Sequence, residues 1–272
     1  MAKRRRTWDK DKIERRIAEG YGQGRGDAYQ PWLHIQDVSS EGNVWRIKGI
    51  THDRIYHCLS EEEQRYCTVL DLACLVTEIR EGYPLLPQEE TLEIADECGF
   101  EHPTDPTTGY PIVITTDFLV NVGLDEFPRT YKPANKLENL NAIEHLEIER
   151  RWWERHGKPL KIVTQHDVPP VLVANAMWLH PTYRLDRYPR MGITASRVRH
   201  IATALTDRVG REDALLCDIA LACDEDLGVS PGSSLLVARH LMATGQWAVD
   251  MYTPLGGEQR LSLLNVNLAR TA

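Results

Sequence analysis

Apolar and polar positions along this chain follow two periods, and the switches between them outline its elements. Asp9 to Glu19 has helical spacing, with Ile13 and Ile17 four apart, and it stops at Gly20. The following Gly22, Gly24 and Gly26 read as a flexible connector. They lack the preceding strand and the Lys-Ser/Thr of a phosphate-binding loop. From Pro31 to Arg54 the pattern alternates around Trp32, Leu33, Ile35, Val38, Val44, Trp45 and Ile47, predicting short strands joined by a Ser39-Ser40-Glu41-Gly42 turn. Leu59 to Glu63 opens a helix, with Ser60 as N-cap and Glu63 at capping-box spacing. Tyr66, Val69, Leu70, Leu72 and Ala73 are its expected buried face. Leu75 to Arg80 reads as a strand, Tyr83 to Pro87 as an apolar turn, and Thr91 to Cys98 as a short helix stopped by Gly99.

Ile112 to Val122 is the strongest strand signal in the chain, and Gly123-Leu124-Asp125 turns it into a partner strand, Phe127 to Pro133. Leu137, Leu140, Ile143, Leu146 and Trp153 mark one face of a long helix that closes at Gly157, before a strand at Leu160 to Thr164. This order predicts an α/β fold: a mixed central sheet with helices against its faces. Beyond Pro169-Pro170 the character changes. Thr194 to Asp207, Glu212 to Asp226 and Pro231 to Ala243 read as three helices, followed by a hairpin of Trp247 to Tyr252 with Arg260 to Val266. Three helices and a two-stranded wing suit a winged-helix domain. The expected division is therefore residues 1–168 and 169–272.

Composition narrows the class. A hydrophobic fraction of 42% and a charged fraction of 26% are those of a soluble globular protein. No apolar run approaches the roughly 20 residues that span a bilayer, and the basic start lacks the apolar stretch of a secretory signal. Six cysteines form no C-x-x-C pair, so buried thiols in a cytoplasmic protein are expected. The net charge of −8 argues against a protein that coats nucleic acid. Basic residues nevertheless cluster at Lys3 to Arg25 and again at Arg184, Arg187, Arg190, Arg197, Arg199 and Arg208. Local DNA contact within a larger assembly fits this pattern, and so do a solvated tail and a solvated helix face.

One acid stands out. Asp117 lies in the middle of an apolar strand, where a carboxylate is costly unless it is paired or binds a metal. Lys132 lies in the next strand, so a hairpin can bring the two side by side, and Glu63 can project toward the same end. Two carboxylates bind hard cations such as Mg²⁺ through oxygen. A nearby ammonium orients the attacking water or offsets charge at a phosphate. Taken singly, Glu63 reads as a helix cap, Asp117 as a surface-facing strand residue and Lys132 as an edge guard. Together they suit hydrolysis of a phosphodiester. The histidines show no zinc-type spacing, and Ser60 has no His/Asp pattern to make it a nucleophile.

With those residues in view, the chain resembles the TnsA family, the endonuclease subunits of heteromeric cut-and-paste bacterial transposases. The resemblance is dense over residues 10 to 165. It runs through Arg15-Arg16-Ile17, Gly22-Gln23-Gly24, Pro31-Trp32-Leu33 and His57 to Glu63. It continues in Pro84-Leu85-Leu86-Pro87, Thr116-Asp117-Phe118-Leu119, Lys132-Pro133, Leu146 to Arg150 and Ile162-Val163-Thr164. It implies a restriction-endonuclease-like (PD-(D/E)xK) first domain, with the metal-site glutamate, aspartate and lysine at Glu63, Asp117 and Lys132, and the Tyr131 backbone carbonyl as a further ligand. It also implies Mg²⁺ or Mn²⁺, two ions, and cleavage at the 5′ ends of a transposon. The implied partners are a TnsB-type transposase, a TnsC-type ATPase and transposon-end double-stranded DNA. Arg4, Arg5, Arg6, Arg15, Arg16 and Arg80 are the expected DNA contacts. One departure matters: nucleases of this fold often carry an acid or glutamine two residues before the lysine, where this chain has Thr130. That weakens the expected second metal, and it supports an alternative, a non-catalytic nuclease-fold adaptor that recruits the transposase and the ATPase.

Overall fold

The Asp9 carboxylate opens the first helix, α1 (Lys10–Ala18), by accepting the Lys12 amide at 2.8 Å. The glycines that follow are built into the fold, contrary to the flexible connector predicted for them. Gly22 N–H donates to the Gln30 carbonyl at 2.6 Å and Gln30 N–H to that of Gln23 at 3.1 Å. Gly22 has φ +74°, and a Cβ there would lie 2.1 Å from Pro84 Cγ. A left-handed backbone pressed against a proline admits only glycine. The computed structural model describes residues 7–37, 44–192 and 194–268, so the predicted Ser39–Gly42 turn lies outside the described residues.

The strands that form nearby are β1 (Trp45–Lys48) and β2 (Ile55–Cys58), an antiparallel pair. Ser60 caps α2 (Glu61–Leu72), whose buried face carries Tyr66 and Cys67 together with the polar Thr68 and Asp71. Hydrophobic spacing passes over Asp71, yet its carboxylate accepts the amides of Ile50 and Thr51 at 2.9 and 3.0 Å and ties the β1–β2 turn to α2. β3 (Val76–Pro84) takes in Tyr83 and Pro84, the first two residues of the predicted apolar turn, and α3 (Gln88–Cys98) stops at left-handed Gly99.

β4 (Thr115–Val122), β5 (Asp125–Tyr131), α4 (Leu140–Arg155) and β6 (Lys161–Val163) complete the first unit, Met1–Val168. The sheet has the order β3-β4-β5-β6, antiparallel except for the parallel β5–β6 pair, and is therefore mixed. Strand side chains alternate between faces. Leu119 packs with Leu85, Ile94, Ile148, Trp152 and Trp153 beneath α3 and α4, while Phe118 meets Tyr66 of α2. Leu140 and Ile143, predicted on the buried stripe of α4, are instead 73% and 43% exposed. The helix begins only after a 3-10 turn at Ala134–Glu138, so its first turn stands clear of the core.

The second unit, Pro169–Ala272, opens with a helix that periodicity did not reveal, α5 (Pro170–Leu179). Its ten residues are almost all apolar, leaving no polar face to set a period. α6 (Ala195–Val209), α7 (Leu216–Leu227) and α8 (Ser233–Ala243) follow. The predicted hairpin shrinks to β7 (Trp247–Ala248) and β8 (Asn265–Val266). The Asn175 amide donates to the carbonyls of Met251 and Thr253 and accepts the Leu255 amide, satisfying loop backbone that a longer ladder would have paired.

Candidate active site

β4 and β5 pair from Val122↔Asp125 to Phe118↔Arg129, and there the ladder stops. β5 keeps its other neighbour: Thr130 and Tyr131 pair with Ile162 and Val163, and Lys132 N–H donates to the Val163 carbonyl at 2.8 Å. Backbone polar groups alternate sides along a strand, so Tyr131 directs its own N–H and C=O back toward β4. The Asp117 carboxylate fills that gap, its Oδ2 accepting the Tyr131 amide at 2.8 Å. Lys132 Nζ lies 3.4 Å from the same oxygen. The parting of the two strands thus brings acid, lysine and a strand carbonyl to one place.

Glu63 arrives from the start of α2. Its amide donates to Ser60 Oγ at 3.1 Å, and its carboxylate accepts the Leu59 amide at 2.8 Å, one residue before the N-cap amide that a capping box uses. The same carboxyl is pushed up to about 7, first by burial and then by the charge of Asp117, with Lys132 among the groups opposing the rise. The carboxylate that caps the helix end thus also feels the charges of Asp117 and Lys132. Lys132 is held above the ordinary lysine value, chiefly by Asp117, with Glu149 and Glu63 adding to it. It is an ammonium at neutral pH.

Glu149 of α4 had no role in the sequence reading. It is buried at 3% exposure, receives a hydrogen bond from the Thr130 hydroxyl, and is pushed up to about 7, first by burial and then by Asp117. Thr116 also hydrogen-bonds Glu149, and it accepts from Trp153 Nε1 at 2.6 Å. The available signal was a lone acid on the apolar stripe of Leu146, Trp152 and Trp153, a placement that costs free energy unless the acid is used. Thr130 accordingly turns to a glutamate on the neighbouring helix, and the side chain that looked like a deficiency becomes a holder of that acid.

Among the described residues no three His, Cys, Asp or Glu side chains close around a point as a cation cage. A resident ion would rest on Glu63, Asp117, the Tyr131 carbonyl and water. Burial first and the charge of Asp117 second raise Glu63, and a divalent cation would relieve both. Mg²⁺ in particular keeps several waters and needs only one or two carboxylates.

Two of the expected DNA contacts are corrected. Arg16 is buried, paired with Asp37 at 2.6 Å and donating to the Trp32 carbonyl. Arg80 is buried against Glu126 and Asn121. Both guanidinium groups are spent inside the fold. Arg15 is exposed on α1, while Arg4, Arg5 and Arg6 lie outside the described residues.

Comparison with known proteins places the chain in a family. Residues 75–165 match the family described as TnsA-like endonuclease N terminal, and residues 167–251 match TnsA endonuclease C terminal. The transposon Tn7 transposition protein TnsA of Escherichia coli is 32% identical over 255 residues, covering 93% of this chain and 90% of that protein. The chain belongs to the TnsA family. Asp117, Tyr131, Lys132 and Glu149 all fall within the N-terminal match, whereas Glu63 precedes it. No helix among the described residues is long and apolar enough to cross a membrane.

Proposed function

We propose that this chain is the metal-dependent endonuclease subunit of a heteromeric transposase, hydrolysing a phosphodiester at the 5′ ends of its transposon. The observation that carries the reading is the opening between β4 and β5, where Asp117 holds the Tyr131 amide and Lys132 while facing Glu63. Membership of the TnsA family supports it, and a restriction-endonuclease-like first domain is the fold that accords with this site. When bound, a divalent ion would supply a polarised water and charge stabilisation at the phosphate. Glu63, Asp117 and the Tyr131 carbonyl are its holders. A second ion, if it binds, would take most of its ligands from the DNA and water, because Glu149 is engaged by Thr130 and Thr116.

Lys132 acts as a charged donor, since its neighbours keep the ammonium protonated. It positions the attacking water or a non-bridging phosphate oxygen and offsets developing negative charge. Asp117 fixes the direction of the lysine and the strand carbonyl. The non-catalytic adaptor is the alternative, and Thr130 in place of an acid or glutamine is its sequence support; the hydrogen bond from Thr130 to Glu149 gives that residue a role within the nuclease reading. The partners proposed are a TnsB-type transposase, a TnsC-type ATPase and transposon-end duplex. Reconstitution with them tests the reading: a 5′-strand break that requires Mg²⁺ or Mn²⁺ is expected. Breaks of equal rate in excess chelator would sink it.

Two further outcomes are expected at this site. Mg²⁺ should raise the melting temperature of the parent and leave that of Asp117→Asn almost unmoved, since a ligand stabilises only the state that binds it. Differential scanning fluorimetry reads this directly, and equal shifts in both proteins would remove the ion from Asp117. Glu149→Gln should be more stable than the parent at alkaline pH while cutting poorly. The folded carboxyl titrates at about 7 against an ordinary value of 4.5, so between these the native state keeps a proton the unfolded chain has lost. Parental stability from this group therefore falls as pH rises through that window, by an amount on the order of 3 kcal/mol. The amide has no such loss. The two proteins should melt alike near pH 5 and diverge by pH 8, and a pH-independent difference would contradict the assignment.

A further inference from the structure

Three helices and a wing invite the idea that the third helix reads DNA, but α8 is closed to that use. Ser233, Ser234, Leu236, Val237, Ala238, Leu241, Met242 and Ala243 are all buried. Arg239 is spent on the Trp178 carbonyl and ring, and His240 contacts the Thr182 carbonyl. A helix with so little free surface cannot lie in a groove.

The basic run of this unit's sequence is elsewhere. Between residues 184 and 200 the sequence holds five arginines, Arg184, Arg187, Arg190, Arg197 and Arg199, against one acid, Asp186, in a chain of net charge −8. α6 turns Val198, Ile201, Ala202 and Leu205 inward and leaves Ser196, Arg197, Arg199, His200 and Thr203 exposed. Farther along, Arg208 is paired with Asp226 and Arg211 with Asp207. Arg197 and Arg199 have no such acid among the described residues, and the Arg197 guanidinium reaches only the Gly192 carbonyl, at 3.5 Å. This exposed face has no aromatic or aliphatic anchor, which the core of a protein–protein interface requires. Arginine, serine, threonine and histidine on a convex helix are the donors that phosphate oxygens accept.

We propose that the outer face of α6, through Arg197 and Arg199, binds the phosphate backbone of duplex DNA without reading its sequence. The choice of DNA rests on the nuclease reading above. The contact itself has no part in cutting, which allows the two to fail separately. Phosphate neutralisation by two arginines leaves a signature in salt dependence, because each contact releases condensed counterions.

The test is fluorescence anisotropy of the full chain, carrying Asp117→Asn so that nothing is cut, on a labelled duplex of arbitrary sequence. Adding Arg197→Ala and Arg199→Ala should weaken binding about tenfold at moderate salt and lower the slope of log K against log salt by about 2, one for each arginine. Replacing both with glutamate should weaken it further without melting the helix, since acids are favoured at the N-terminal end of a helix. Unchanged affinity and slope would overturn the proposal, including the case in which the variant loses an acidic protein partner instead. Absence of duplex binding by the Asp117→Asn chain at about 50 mM salt, where phosphate contacts are strongest, would overturn it too. Failure of the otherwise parental chain to cut the 5′ ends in the reconstituted reaction would count against the nuclease reading alone.

Discussion

Asp117→Asn is expected to keep its fold and to lose 5′-strand cleavage by at least about 10³-fold, roughly 4 kcal/mol of transition-state stabilisation. Asparagine is the informative replacement because its carbonyl oxygen can still accept the Tyr131 amide that Asp117 holds at 2.8 Å. The opening between the strands is then preserved, and only the negative charge is removed. Without that charge Lys132 loses the partner that aims it, and a divalent ion loses one of two carboxylates. In a reconstituted excision reaction, 5′ breaks should vanish while 3′-end chemistry by the partner transposase continues. Parental rates at the 5′ ends would remove Asp117 from the chemistry. Loss of both breaks together with a lowered melting temperature would show a structural role instead.

Arg54→Met should destabilise the first unit by about 3–5 kcal/mol, the usual consequence of stranding one partner of a buried ion pair. Arg54 donates from both terminal nitrogens to Glu81, at 2.8 and 2.6 Å, and also to the Ile79 carbonyl. Glu81 is 1% exposed and accepts the His57 amide as well. The pair fastens β2 to the central sheet just before the chain reaches Ser60 and Glu63. A fall in melting temperature of roughly 10 °C is the expected reading. Replacing Glu81 with leucine in the same chain should restore much of it, because two apolar groups of similar size leave no charge unpaired. A single Arg54→Met variant that melts with the parent would show the pair to be solvated.

Much of this architecture is legible in the sequence where burial is one-sided. The central hairpin declares itself through an apolar run broken by Gly123, and α4 through Leu146 and Trp153. α5 is invisible for the opposite reason, since an all-apolar helix has no period to detect. Asp71 and Glu149 escape because hydrophobic patterning treats a buried carboxylate as an error, when each is satisfied by groups far away in the chain: the amides of Ile50 and Thr51, and the hydroxyl of Thr130. Arg16 and Arg80 mislead in the mirror sense, because a sequence shows their charge but not the aspartate or glutamate that consumes it. The site was readable at Asp117 and Lys132, which share one hairpin. Its third dimension, from α4, was not.

The place where β4 and β5 separate also decides where this chain can change in length. The ladder from Phe118–Arg129 to Val122–Asp125 ends in a turn about 14 Å away, where Leu124 is wholly exposed. Residues added at that tip lengthen a loop and leave the pairing below untouched. One residue added between Arg129 and Thr130 would exchange the two faces of the strand beyond it, sending the lysine toward Tyr66 and the Tyr131 ring toward Glu149. The same hairpin thus offers an attachment point for a label or a fused domain at one end and no slack at the other.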